Sequence, residues 1–239
     1  MPSLRQLSSC IGLSGDVSII ADFFGFFRGR LPPDPTGAPV SISLARQMRL
    51  LQGPHFHLNL VSVGVENFTD NENIEIDYAV FKIRNIYAQV GVGVGRVLNF
   101  AVTVADAHGL DAPTTTGQLE DISNRWVVPG NGIDVFVPFA MNVPSDGGMI
   151  LGQSPQPGPC EGKNAKGMNA SVVGLFGSEQ TARSFSHEVG HYLGLGHQND
   201  HPENLMCQSS KASSIRNSVN LTSDQGNTVK GHCLVKPGC

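Results

Sequence analysis

His187-Glu188-Val189-Gly190-His191-Tyr192-Leu193-Gly194-Leu195-Gly196-His197 reads H-E-x-x-H-x-x-G-x-x-H and decides how the rest of the chain is read. Residues four apart on a helix lie on one face, one turn above another, so His187 and His191 can aim both imidazoles at one ion. Two histidines do not complete a catalytic zinc site, which takes three protein ligands and keeps one position open for water. His197 is too far along to share that face by continued helix. Gly194 resolves this, because glycine accepts the left-handed conformation that ends helices and lets the chain turn back. Glu188 projects to another side of the helix, suited to taking a proton from water beside the ion. The five fixed letters should arise by chance on the order of once in ten thousand chains of this length and composition. A structural zinc site would need a fourth ligand and is usually rich in cysteine.

The motif resembles the signature of metzincin zinc metallopeptidases. That family also places a methionine in a tight turn beneath the zinc, and Asn204-Leu205-Met206-Cys207 follows at a short distance, with Met206 fitting the role. The spacing and the Leu-Met pair are similar to the matrixin-like branch. The resemblance implies an α+β catalytic domain: a twisted mixed sheet, a long backing helix, an active-site helix, then a smaller C-terminal subdomain with the Met-turn and a final helix. It implies zinc as cofactor, held by His187, His191 and His197, with Glu188 as general base. It implies that the strand before the active-site helix, Ser171, Val172, Val173 and Gly174, borders the cleft and pairs with an extended substrate. A structural calcium ion would be a second cofactor, but no residue pattern here supports one. Several members place a tyrosine after the methionine; Cys207, Gln208 and Ser209 stand there instead. His201 is a candidate to replace it, and Asp200 a candidate to orient a ligand imidazole.

Composition sets the bounds. At 239 residues, with 40% hydrophobic and 15% charged side chains, the chain suits a globular protein with a real core. A net charge of −4 argues against nucleic acid or an anionic membrane as partner, and no run is long enough to span a bilayer. Expected partners are protein or peptide substrates; the oligomeric state is not legible. Low charge with abundant Gly, Ser, Thr and Asn suggests a secreted protein. Residues 11–27 do not read as a signal, since Asp16 and Asp22 interrupt them, so export would use a removed signal or another route. Of five cysteines, Cys160, Cys207, Cys233 and Cys239 suit two disulfides of undetermined pairing, leaving Cys10.

Two domains are expected: an N-terminal extension and Pro-rich linker over 1–39, and a catalytic domain over 40–239. The Phe23–Phe27 cluster would dock on the domain, on a partner or on an export receptor. Segment 40–52 reads as a short helix or strand. His55–Val65 alternates as a strand, on which His55 and His57 share one face, either as a strand-edge pair or as metal ligands. Asp70–Asn73 opens a helix with Ile76, Ala79, Val80, Ile83 and Tyr87 on its buried stripe. Strands are expected at 90–94, 97–104, 133–139 and 170–176, a helix at 114–126, a hairpin within the long loop 141–169, and a last helix after Leu221. Two rivals to the protease remain: a zinc-binding effector or binding module with little activity, and a latent precursor whose residues 1–39 fill the cleft.

Overall fold

The computed structural model describes residues 49–146, 148–160 and 167–238. Cys10, the Phe23–Phe27 cluster, the linker, most of segment 40–52 and Cys239 lie outside them. A five-stranded sheet has the order β2-β1-β3-β7-β6. Its strands are β1 (His55–Val63), β2 (Gly93–Val102), β3 (Gly132–Pro138), β6 (Gly152–Gln153) and β7 (Ser171–Val173). The first four in that order run parallel, and β6 pairs antiparallel with β7 at the edge. The sheet is therefore mixed, as expected. A hairpin, β4 (Val143–Ser145) and β5 (Gly148–Ile150), lies within the long loop. The expected strands at 90–94 and 97–104 merge into the single strand β2, and Val104 opens a short helix, α2 (Val104–Ala107).

Side-chain alternation divides the core between the two faces of the sheet. Phe56, Leu58 and Leu60 of β1 and Ile133, Val135 and Val137 of β3 join one cluster with α1 (Asp70–Ala88) and α4 (Ser178–Tyr192). Val61, Val63 and Phe136 point the other way, to Leu119 and Ile122 of α3 (Thr116–Arg125). Helix α1 starts at Thr69, whose side chain and Glu72 form a reciprocal capping box. The stripe read from sequence, Ile76, Ala79, Val80, Ile83 and Tyr87, is buried throughout. No helix among the described residues is long and apolar enough to cross a membrane.

Cysteine pairing departs from expectation. Cys160 and Cys233 form a disulfide, but Cys207 is a buried free thiol, so a second bridge through it is absent. Cys207 follows Met206 directly and its backbone belongs to the turn under the histidines, which keeps its thiol within the domain.

His55 and His57 are not an edge pair either, because β1 is paired on both sides. Both are about 1% exposed. His57 Nδ1 accepts from the Arg96 N–H at 3.1 Å, which leaves Nε2 as the protonated nitrogen of a neutral ring. That tautomer does not offer a lone pair for a shared metal at Nε2. Burial, ahead of the repulsion from His55, lowers the His57 pKa from 6.5 to about 3. An unfolded chain takes up this proton below 6.5 while the fold refuses it until about 3, so stability falls on acidification through that window. Each pH unit costs about 1.4 kcal/mol from this group. Denaturant melts at pH 7 and 5 should show a shallower acid loss in His57→Asn than in wild type; equal slopes would exclude this origin.

Candidate active site

Helix α4, which carries His187 and His191, is held from α1 along its length. Gly177 at its N-cap has no side chain to cap with. Glu75 Oε2 substitutes, accepting from Gly177 N at 3.0 Å and from Thr181 Oγ1 at 2.9 Å. Tyr78 donates to Glu179 at 2.6 Å, and Tyr87 to the Ser186 carbonyl at 3.1 Å, one residue before the first histidine of the motif. The helix ends as the sequence requires: Gly194 has φ 95°, Gly194 N donates to His191 O, and Leu195 N reaches Gly190 O at 2.9 Å.

That turn brings His197 back. The ring centroids of His187, His191 and His197 lie 4.7, 5.3 and 4.6 Å apart, and His191 Nε2 is 3.1 Å from His197 Nε2. Among the described residues these three alone form a group able to hold a metal ion. Their hydrogen bonds suit that task. His187 Nδ1 donates to Leu205 O at 2.8 Å and His191 Nδ1 to Leu195 O at 2.7 Å. A carbonyl can only accept, so each Nδ1 carries the proton and each Nε2 keeps its lone pair. Burial lowers the pKa of all three rings, that of His187 to about 3, which keeps them neutral and able to ligate. At metal–nitrogen distances of about 2.1 Å, tetrahedral ligands lie about 3.4 Å apart, close to the observed approach. His197 is exposed, which leaves one side of the trio open to solvent.

Met206 packs against the same helix at Gly190. A side chain on Gly190 would meet Met206 Sδ at 2.6 Å, so the helix needs glycine where the turn approaches. Asn204 Oδ1 accepts from Met206 N at 2.8 Å, and the Asn204 amide exchanges two hydrogen bonds with Gln225 of α5 (Ser223–Lys230). Gln198 N donates to Met206 O at 3.0 Å, tying the segment after His197 to the same turn. The final helix thus supports the turn, and the turn supports the ligands.

Glu188 is 7% exposed, and burial raises its carboxyl from 4.5 to about 8; a dipositive ion nearby would oppose that shift. It faces a cleft of about 670 Å³ that also exposes the three histidines, Gly152 and Gln153. Gly152 is in contact with it: a Cβ there would sit 2.6 Å from Glu188 Cγ and 3.0 Å from Oε1.

Other expectations are corrected. Ser171, Val172 and Val173 are buried between β3 and β6, and Gly174 N is bonded to Leu151 O, so none of them offers a free edge to a substrate. Of the five-stranded sheet, β6 is the strand on the cleft, next to the β4–β5 hairpin. Asp200 orients no ligand ring; the backbone carbonyls of Leu195 and Leu205 do. His201 is exposed and is not part of the cleft lining. Sequence reading missed Gly152 and Arg183. Gly152 lies in a Gly- and Pro-rich run without a strand pattern, while Arg183, four residues before His187, could have been found by helical spacing.

No protein-family model matches this chain, and no curated protein matches it. Among solved structures it is similar to archaemetzincin from Methanopyrus kandleri, with 17% identity, 74% of this chain and 94% of that chain covered, and a TM-score of 0.48. It is also similar to metalloproteinase-II from Bacteroides fragilis, at 14% identity over 75% of this chain and 53% of that chain, TM-score 0.49. A third is a zinc-dependent peptidase from Methanocorpusculum labreanum, at 10% identity, 72% and 99% coverage, TM-score 0.40.

Proposed function

We propose that this chain is a zinc-dependent endopeptidase of metzincin type, matrixin-like in its motif. The observation that carries the reading is the convergence of three neutral imidazoles, each of two locked by a carbonyl, next to a buried carboxylate at an open cleft. His187, His191 and His197 would hold zinc. Bound there, zinc supplies Lewis acidity, activating water and polarising a substrate carbonyl. Glu188 takes a proton from the attacking water and returns it to the leaving amine. Met206 and Gly190 keep the ligand-bearing helix and the turn at a fixed separation. The edge strand β6 presents main-chain groups to an extended substrate, as sheet edges do. The Cys160–Cys233 disulfide accords with an oxidising, extracellular setting.

The test is incubation with casein or gelatin, with and without chelator, followed by zinc. Cleavage should vanish with the metal and return with it. His197→Ala should fold, bind zinc at least a hundredfold more weakly and show no cleavage. Zinc binding without cleavage of any peptide library would favour a binding module instead. Cleavage only after removal of residues 1–39 would identify a latent precursor.

A further inference from the structure

The cleft wall beside the histidines contains a buried cation that the mechanism does not use. Arg183 is 3% exposed and lines the cleft, one helical turn before His187. Its Nε donates to Ser218 O at 3.0 Å, and Nη2 donates to Leu205 O at 3.2 Å and to Cys207 O. Three carbonyls fix the guanidinium plane, and Leu205 O is the oxygen that also orients His187. Among the described residues no carboxylate forms an ion pair with Arg183. A largely buried guanidinium held by carbonyl dipoles beside the Cys207 thiol is relieved most by an opposite charge in fork geometry.

The surrounding lining agrees. Ser184, Gln208, Ser209 and Ser210 lie on the same cleft as Arg183 and supply hydroxyl and amide groups, while Met149, Ile150 and Leu151 give the cleft an apolar part as well. The cleft's own carboxylates are Glu188, beside Gly152, and Asp146, at the exposed hairpin. Neither neutralises the guanidinium.

We infer that Arg183 is a specificity-determining residue that receives a substrate carboxylate, that of an Asp or Glu side chain next to the cleaved bond. The inference rests on the endopeptidase reading for its register, but carboxylate recognition is testable apart from cleavage. Charge-assisted bonds to a largely buried guanidinium favour Glu over the isosteric Gln about ten- to hundredfold.

Binding is read by fluorescence anisotropy on zinc-loaded Glu188→Gln protein, with labelled peptides differing only in Glu or Gln at that position. A second pair ends at that position in Leu, with a free or an amidated terminus, and separates a side-chain carboxylate from a chain-end one. Cleavage rates on wild type, with sites read by mass spectrometry, follow. The expected result is tighter binding of the Glu peptide, lost on adding Arg183→Gln and partly kept on adding Arg183→Lys. Preference confined to the free terminus would overturn the side-chain assignment. Equal binding of Glu and Gln peptides, or a preference that survives Arg183→Gln, would overturn carboxylate recognition by Arg183. The first comparison needs no change at Arg183, so a misfolded variant does not shield the idea. Absence of cleavage with the binding preference intact would sink the endopeptidase reading and leave this one standing.

Discussion

Glu188→Gln should lower kcat/KM on any cleaved peptide by about 10²- to 10⁴-fold, the usual worth of a positioned general base. The amide keeps the shape and loses the proton acceptor. Zinc content should stay at one per chain, because Glu188 is not among the residues that converge on the ion. Without metal, stability should hold or rise, since burial alone raises the carboxyl to about 8 and its ionised form is costly there. The contrast with His197→Ala is diagnostic, as that change should lose the metal together with the activity. Metal analysis and steady-state kinetics on the same preparations separate the two. Cleavage by Glu188→Gln at the wild-type rate would exclude Glu188 as the base, whatever the metal content.

How much of this site was legible in the sequence depends on what kind of group carries it. His187, His191 and Gly194 were readable because helical spacing and glycine's left-handed preference are local properties. His197 followed from them. The carbonyls of Leu195 and Leu205 that lock the rings were not readable, because backbone atoms carry no letter. Asp200 stood in for them on chemistry alone and was wrong. The sheet shows the same limit. β1, α1 and β3 announced themselves by alternation and by a helical stripe, whereas β6 has two residues and no pattern. Ser171–Val173 looked like the cleft strand because β-propensity says that a segment is extended, and says nothing of which strand lies outside it. Cys207 was misread by counting, because a buried free thiol and half of a bridge carry the same letter. Arg183 was within reach: four residues before His187 is the same helix face.

Gly152→Val should cost about a hundredfold in kcat with zinc content unchanged. A Cβ at residue 152 would overlap Glu188, at 2.6 Å from Cγ and 3.0 Å from Cδ and Oε1. One of the two must move. The strand cannot easily retreat, because Gly152 and Gln153 pair with Val173 and Val172, and Gly174 N holds Leu151 O at 3.0 Å. The Glu188 side chain is the softer element, so the carboxyl shifts by something near an ångström. A displacement of that size at a reacting group costs about 10² in rate. Gly152→Ala should act in the same direction and less. Because β6 is also the edge proposed to meet the substrate, loss of activity alone does not identify the cause. A double-mutant cycle does. If residue 152 acts through the carboxyl, Gly152→Ala should cost almost nothing further once Glu188 is already Gln and its proton transfer is gone. An undiminished penalty in that background would mean that glycine is needed for the approach of the substrate backbone, and that its contact with Glu188 is incidental to the rate.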